Sequence, residues 1–378
     1  MRASRALFLT ACAALTACQE RVETDPVFFA AENPAQLSDW NVLRAARGEL
    51  ILSSGVLPYD LNTPLFSDYA HKLRTIWLPE TKSAAYTDET TFDFPVGTII
   101  SKTFYYPRSK GEDAAAVRFS PDTTNERLLG GFDLEGIRLI ETRLLVRRAA
   151  GWEALPYVWN ADQTDAVLKR TGDIVNLSLD ADGKPPQEFS YVVPNANQCA
   201  GCHATNATTR EIVPIGPKAR HLNKDYIYKD GTQNQLVKWG EIGALTAVPS
   251  SGHIPKNAQG QDLSESLESR ARAYLDINCS HCHNAVGPAD TSGLMLDPSA
   301  SVDTHFGICK SPIAAGTGTG GRLFGIVPGE PERSILTFRM ASTDPAAMMP
   351  ELGRSLAHTE GVELIEEWVR QMEGDCND

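Results

Sequence analysis

Two short strings in this 378-residue chain could do chemistry: Cys199-Ala200-Gly201-Cys202-His203 and Cys279-Ser280-His281-Cys282-His283. Both read C-x-x-C-H, the spacing at which two thiols meet the two vinyl groups of one porphyrin while the next imidazole reaches its iron. With 8 cysteines and 8 histidines in the chain, one such string is expected by chance on the order of 0.004 times. Two exclude accident. A zinc site or a thioredoxin-like dithiol also uses C-x-x-C, but neither accounts for a histidine directly behind the second cysteine twice over. The spacing therefore predicts two covalently attached haem c groups, with His203 and His283 as proximal ligands to the iron.

The elements that must position the second string read as helices. Leu267, Ala271, Tyr274 and Leu275 recur at helical spacing within Ser264 to Asn278, a helix leading into the motif, and Val362, Ile365, Trp368, Val369 and Met372 do so between Thr359 and Met372. From Leu263 onward the chain resembles a class I cytochrome c, in which the first and last helices cross and bury an aromatic contact; Tyr274 and Trp368 suit it. The resemblance extends to Ala347-Met348-Met349-Pro350, which looks like the Met-Pro string that delivers a distal thioether. It implies Met349 as sixth ligand, with Met348 the adjacent substitute and Met295 or Met340 the remote ones. A soft thioether raises the potential relative to His/His ligation. The Gly-rich run Gly316 to Gly321 lacks a Lys-Ser/Thr ending and a preceding strand, so it reads as a surface loop.

The first haem segment, Pro194 to Asp262, contains no methionine. Its sixth ligand comes from elsewhere, is a different residue, or is missing, leaving an open position. His221, 18 residues after His203, ranks first on loop reach, ahead of His71 and His253. Leu236 and Trp239 fall on a short helix that could cover the porphyrin face.

Residues 1–18 read as an export signal: Arg2 and Arg5, then an apolar stretch from Ala6 to Leu15 too short to span a bilayer. Leu15-Thr16-Ala17-Cys18 resembles a bacterial lipobox, which implies lipidation of Cys18; ordinary secretion is the alternative. Gln19 stands where an aspartate would resemble an inner-membrane retention signal. The expected location is the periplasm, lipid-anchored, with the outer membrane favoured. In that oxidising compartment spare thiols usually pair, so Cys309 and Cys376 are expected to form a disulfide, the alternative being two free thiols.

The net charge of −13 argues against a nucleic-acid partner. Residues 85 to 193 change character: Ile140, Thr142, Leu144 and Val146 alternate with Glu141, Arg143, Leu145 and Arg147, and Asp180 to Gly183 reads as a turn between Gly172–Leu179 and Glu188–Val193. Phe92 to Tyr106 adds another aromatic, β-branched segment. The expected fold is multidomain α+β: a mostly antiparallel β domain, a sandwich, within residues 19–193, then two α-helical cytochrome c-type haem segments at 194–262 and 263–378.

Pro58 to Asp68, Phe94 to Thr98 and Met348 to Gly353 carry a further likeness: over nearly all of its mature length the chain resembles a family of bacterial di-haem c-type cytochromes. Related segments look similar to portions fused to quinoprotein sugar dehydrogenases, which implies electron traffic from an oxidised substrate. The leading expectation is single-electron transfer between periplasmic redox proteins, among them a quinoprotein dehydrogenase, rather than catalysis. The runner-up is a di-haem peroxidase-like enzyme with an open first haem. A third reading makes the β domain a binding module wired by haems, with Trp152, Tyr157 and Trp159 as exposed aromatics.

Overall fold

The computed structural model describes residues 25–111, 113–121, 132–181, 183–313 and 315–376; the signal segment and Cys18 lie outside them. Strand outweighs helix, 27% to 20%, and most of it precedes residue 194. In chain order these strands are β1 (Leu43–Ala46), β2 (Glu49–Leu52), β3 (Leu57–Tyr59), β4 (His71–Trp77), β5 (Ala84–Ala85), β6 (Ile99–Pro107), β7 (Ala116–Arg118), β8 (Phe132–Asp133), β9 (Ile137–Arg148), β10 (Gly151–Trp159), β11 (Ala166–Leu168), β12 (Asp173–Asp180) and β13 (Gln187–Val193).

The centre is a six-stranded antiparallel sheet in the order β11-β10-β9-β6-β4-β3. One face, with Leu73, Ile99, Leu144 and Tyr157, buries against β1, β2 and β8. The opposite face has two covers. At one end the sheet β13-β12-β7 packs Leu177 and Tyr191 against Phe104 and Tyr106, completing a sandwich. At the other, Ile76 and Ile100 meet residues that follow position 194. Full burial of each such side chain contributes about 1.5–3 kcal/mol.

The expected alternation in β9 holds from Thr142 to Val146 and fails at Ile140. The register slips between Phe104 and Tyr105, whose partners are Glu141 and Leu139, so Ile140 is an extra residue and turns to the sandwich face. Glu141 is fully buried because that face is covered; it holds Arg143 and the Tyr191 hydroxyl. The expected hairpin forms as β12 and β13. Tyr157 and Trp159 are core residues, and Trp152 is half-buried edge-on to Phe94, so the aromatics that motivated a binding module are not an exposed patch.

The segment 194–262 is not an α-helical unit. It holds α1 (Ala196–His203), α2 (Ala219–Leu222), a hairpin β14 (Asp225–Tyr228) and β15 (Gly231–Asn234), α3 (Gln235–Glu241), and β16 (Leu245–Thr246), which joins β5 in parallel. Helices of 8, 4 and 7 residues are too short to enclose a core of their own. They borrow the sheet's: Leu236 and Trp239, expected over a porphyrin face, lie in one cluster with Ile76 and Ile100, and Trp239 meets Tyr59 edge-on at 5.8 Å.

The C-terminal part has its own core around α4 (Leu267–Leu275), α5 (Ile335–Ala341) and α6 (Thr359–Arg370). α4 begins after Ser266, whose side chain caps the Ser269 N–H, and ends in a π-helical turn, Asp276–Ser280. α4 and α6 pack together, but Tyr274 does not meet Trp368. Trp368 stands edge-on to Phe306 at 5.9 Å, while Tyr274 fits over Gly361, where a Cβ would lie 2.4 Å from its hydroxyl. Cys309 and Cys376 are disulfide-bonded, Cα atoms 5.3 Å apart. Among the described residues no helix is long and apolar enough to cross a membrane.

Candidate metal centres

α1 follows β13 through Pro194 and opens with a reciprocal cap: Asn195 Oδ1 accepts from the Gln198 N–H and Gln198 Oε1 from the Asn195 N–H, both at 2.9 Å. The helix thereby carries Cys199, Cys202 and His203 from its middle to its C-terminal end. The chain then loops back to clamp His203. The Val213 N–H donates to the His203 carbonyl, and the His203 ring lies 2.9 Å from the Val213 carbonyl through Nδ1. A carbonyl only accepts, so Nδ1 carries the proton and the Nε2 lone pair is left for a metal.

The second motif closes a helical turn of its own, with the Cys282 and His283 N–H groups both donating to the Cys279 carbonyl. Ser292 Oγ donates to the Ala289 carbonyl at 2.6 Å and lies 3.2 Å from His283 Nδ1. Its hydrogen is thus used, so it accepts from Nδ1–H, and Nε2 of His283 is again left as a lone pair. Burial holds both His203 and His283 at about 4, neutral and competent to ligate at pH 7.

All four motif cysteines are free thiols. Burial pushes Cys279 and Cys282 up to about 12, opposite to the lowered thiol pKa of dithiol oxidoreductases. Among the described residues no three His, Cys, Asp or Glu side chains converge on a metal-ion site, so the geometry of a protein-ligated zinc centre is absent there.

A cavity of about 1370 Å³, counted with its open mouth, lies over α1 and is lined by Cys199, Cys202 and His203. Its walls are mixed: Leu65, Ile100 and Ile277 are apolar, while Arg74, Lys102 and Arg143 also line it. Those three cations sit directly opposite one another on β4, β6 and β9, in the pairs Arg74 with Lys102 and Lys102 with Arg143. Like charges in such a register repel. Glu141 neutralises Arg143, but Lys102 stays under strain: burial, then Arg143 and Arg74, pull it down to about 7. An apolar slot with a cationic row suits a flat apolar ring bearing carboxylates. The sequence carried no flag for this row, because its members are 28 and 41 residues apart and only the sheet aligns them.

His221 also lines the cavity, but its Nε2 lies 2.8 Å from Asp276, a buried carboxylate that binds Arg220 through both oxygens and accepts from Asn257 and Ser280. These partners hold Asp276 far below the usual carboxylate range despite its burial. His71 bonds the Ser120 carbonyl and His253 is exposed beside Ser250; neither lines the cavity, and neither does a methionine.

Met349 is half-buried on a loop staked by two arginines. Its N–H donates to the Arg339 carbonyl and its carbonyl accepts from Arg354, both at 2.9 Å, while Arg339 also holds the Ala347 carbonyl. Arg339 contributes to the low pKa of His283, which puts the loop in the neighbourhood of the second motif. Met348 is more deeply buried, Met340 belongs to the helical core, and Met295 is half-buried.

The segments that follow the two motifs touch. The Ala207 N–H, four residues past His203, donates to the Val286 carbonyl, three past His283, at 2.7 Å. Gly201 faces Leu352, whose methyl would stand 3.0 Å from a Cβ there. His281, inside the second motif, lines the cavity of the first. Searches against protein-family models, curated proteins and solved structures find no match in any of the three.

Proposed function

We propose that the chain is an exported di-haem c-type cytochrome that relays single electrons between periplasmic partners. The observation that carries this reading is the pair of C-x-x-C-H turns, each with its imidazole clamped in the Nε2-free tautomer, and with the segments that follow them joined by a backbone hydrogen bond. When bound, haem supplies an iron that changes by one electron.

The chain's own part is to hold, orient and screen. Cys199 and Cys202, and Cys279 and Cys282, anchor the two groups; His203 and His283 supply the proximal nitrogens, and Met349 the distal thioether of the second. Arg74, Lys102 and Arg143 offer counter-charge to carboxylates in the first cavity. Covalent anchorage prevents loss of the cofactor after export, and a lipidated Cys18 would keep the mature chain at the membrane surface, the outer membrane being favoured. The net charge of −13 favours a basic docking partner, by an attraction that salt weakens; a quinoprotein dehydrogenase is the proposed donor.

The test is the alkaline pyridine haemochrome of the mature protein made with the cytochrome c maturation machinery, with its intact mass. Two haems per chain and two one-electron transitions in a redox titration are expected. A chain that matures without covalent haem, or takes up a single one, sinks this reading.

A further inference from the structure

We propose that His281, carried between the two cysteines of the second motif, is the sixth ligand to the iron held by His203. This rests on the di-haem reading above and adds what that reading lacks, the distal ligand of the first site.

Two observations converge on this ring. It lines the same cavity as Cys199, Cys202 and His203. It is only 8% exposed, yet its Nδ1 is buried without a partner, and the ring makes no hydrogen bond among the described residues. Leaving such a group unsatisfied is destabilising, and native structures normally avoid it unless something else uses the group.

The competitors are less suited. No methionine lines the cavity. His221 also lines the cavity with an unpartnered Nδ1, but its Nε2, the less crowded nitrogen, is committed to Asp276, whereas His281 has neither nitrogen committed. Lys102 stands in the row with Arg74 and Arg143, its ammonium over the Phe104 ring at 5.2 Å.

The fold also explains how the ring is aimed. The π-helical turn Asp276–Ser280 inserts an extra residue just ahead of His281, a device that recurs at functional sites. The turn is bolted to the first segment, since Asp276 receives Arg220 and His221 from α2 while Ser280 Oγ donates to the Asp276 carbonyl. Residues Cys279 and Cys282 face one haem while His281 between them faces the other. The ligand of the first iron is then bonded in the chain to a thioether cysteine of the second, a covalent route between the two centres. His/His ligation also leaves the first site at lower potential than a His/Met second site.

The experiment uses the mature holoprotein, the His281→Ala and His281→Met variants, and haem counting on each. In the wild type, low-temperature EPR of the oxidised protein should give one bis-imidazole signal, and carbon monoxide should leave the reduced spectrum unchanged. His281→Ala should keep two haems while half of the absorbance turns high-spin and shifts with carbon monoxide. His281→Met should stay six-coordinate, lose the bis-imidazole signal and raise the lower of the two midpoints alone. With two haems counted, a wild type lacking a bis-imidazole signal, or a His281→Ala protein as unreactive to carbon monoxide as the wild type, overturns the ligand assignment. A wild type with fewer than two haems overturns the di-haem reading instead, so the two failures are distinguishable.

Discussion

The Cys199–His203 turn is assembled by distant parts of the chain, whereas the Cys279–His283 turn is assembled largely by its own neighbourhood. The first takes its floor from β4, β6 and β9, its clamp from Val213, and wall residues from the second motif (His281) and from Pro350, Leu352 and Gly353. The second sits at the end of α4, within a helical core closed by α6 and the Cys309–Cys376 bond. A motif in a self-sufficient domain needs few partners. A motif on a short helix without its own core must borrow a sheet, and the borrowing brings in residues that sequence proximity does not reveal.

The comparison breaks most sharply on the cysteines. On the proposed di-haem reading, Cys199→Ser with Cys202→Ser should halve the covalent haem and leave the spectrum of the second site, with its proposed Met349 ligand, intact. Cys279→Ser with Cys282→Ser should also halve it, but additionally disturb the first site's spin state, because the second motif lines the first cavity. Equal, independent effects of the two double variants on the remaining spectrum would show the sites to be separate.

Asp276→Ala tests the joint between the two. It strips Arg220 and His221 of their common partner in a buried place, and urea titration should show a loss of about 3–5 kcal/mol. A loss below about 1 kcal/mol, the range of an exposed ion pair, would place this node outside the framework.

Next in size is the disulfide, which closes a loop of 67 residues. Cys309→Ser with Cys376→Ser should cost about 2–4 kcal/mol. If the C-terminal part is as self-contained as its core suggests, its unfolding transition moves and that of the β domain does not.

Gly361→Ala probes the helix crossing. Its new Cβ would stand 2.4 Å from the Tyr274 hydroxyl and 2.6 Å from His358 Nδ1, so overpacking should cost about 1–3 kcal/mol. Tyr274→Phe should recover part of that loss, and a full additive penalty would mean that the clash is relieved by backbone movement instead.

The smallest effect expected is a pH dependence at the contact between the two halves. His358 stacks on Phe66 at 4.3 Å and faces the Tyr274 hydroxyl at 3.1 Å, with Glu360 at 3.6 Å. Burial holds it at about 4 against an ordinary 6.5. Between those values the unfolded chain binds the proton and the folded chain does not, so stability falls as pH drops from 6.5 toward 4 and is level above. His358→Gln should flatten that slope by on the order of 1 kcal/mol, allowing for the ring's partial exposure. An unchanged slope would assign the dependence elsewhere.

Local spacing alone determined both C-x-x-C-H strings, the hairpin of β12 and β13, and the amphipathic faces of α4 and α6, because each depends on neighbours within one or two turns. The pairing of Cys309 with Cys376 followed from compartment chemistry and leftover cysteines. Tertiary structure decided the rest. A single bulge turned Ile140 to the opposite face, a covered sheet buried Glu141, and Gly361 rather than Trp368 received Tyr274. Most of all, three strands aligned Arg74, Lys102 and Arg143 beneath α1, and a π-helical turn aimed His281 into the first cavity. A second histidine inside the second motif was visible in the sequence, but its direction was not. Side-chain direction depends on how the turn is wound and on what it is bolted to, and both are set by residues far away in the chain.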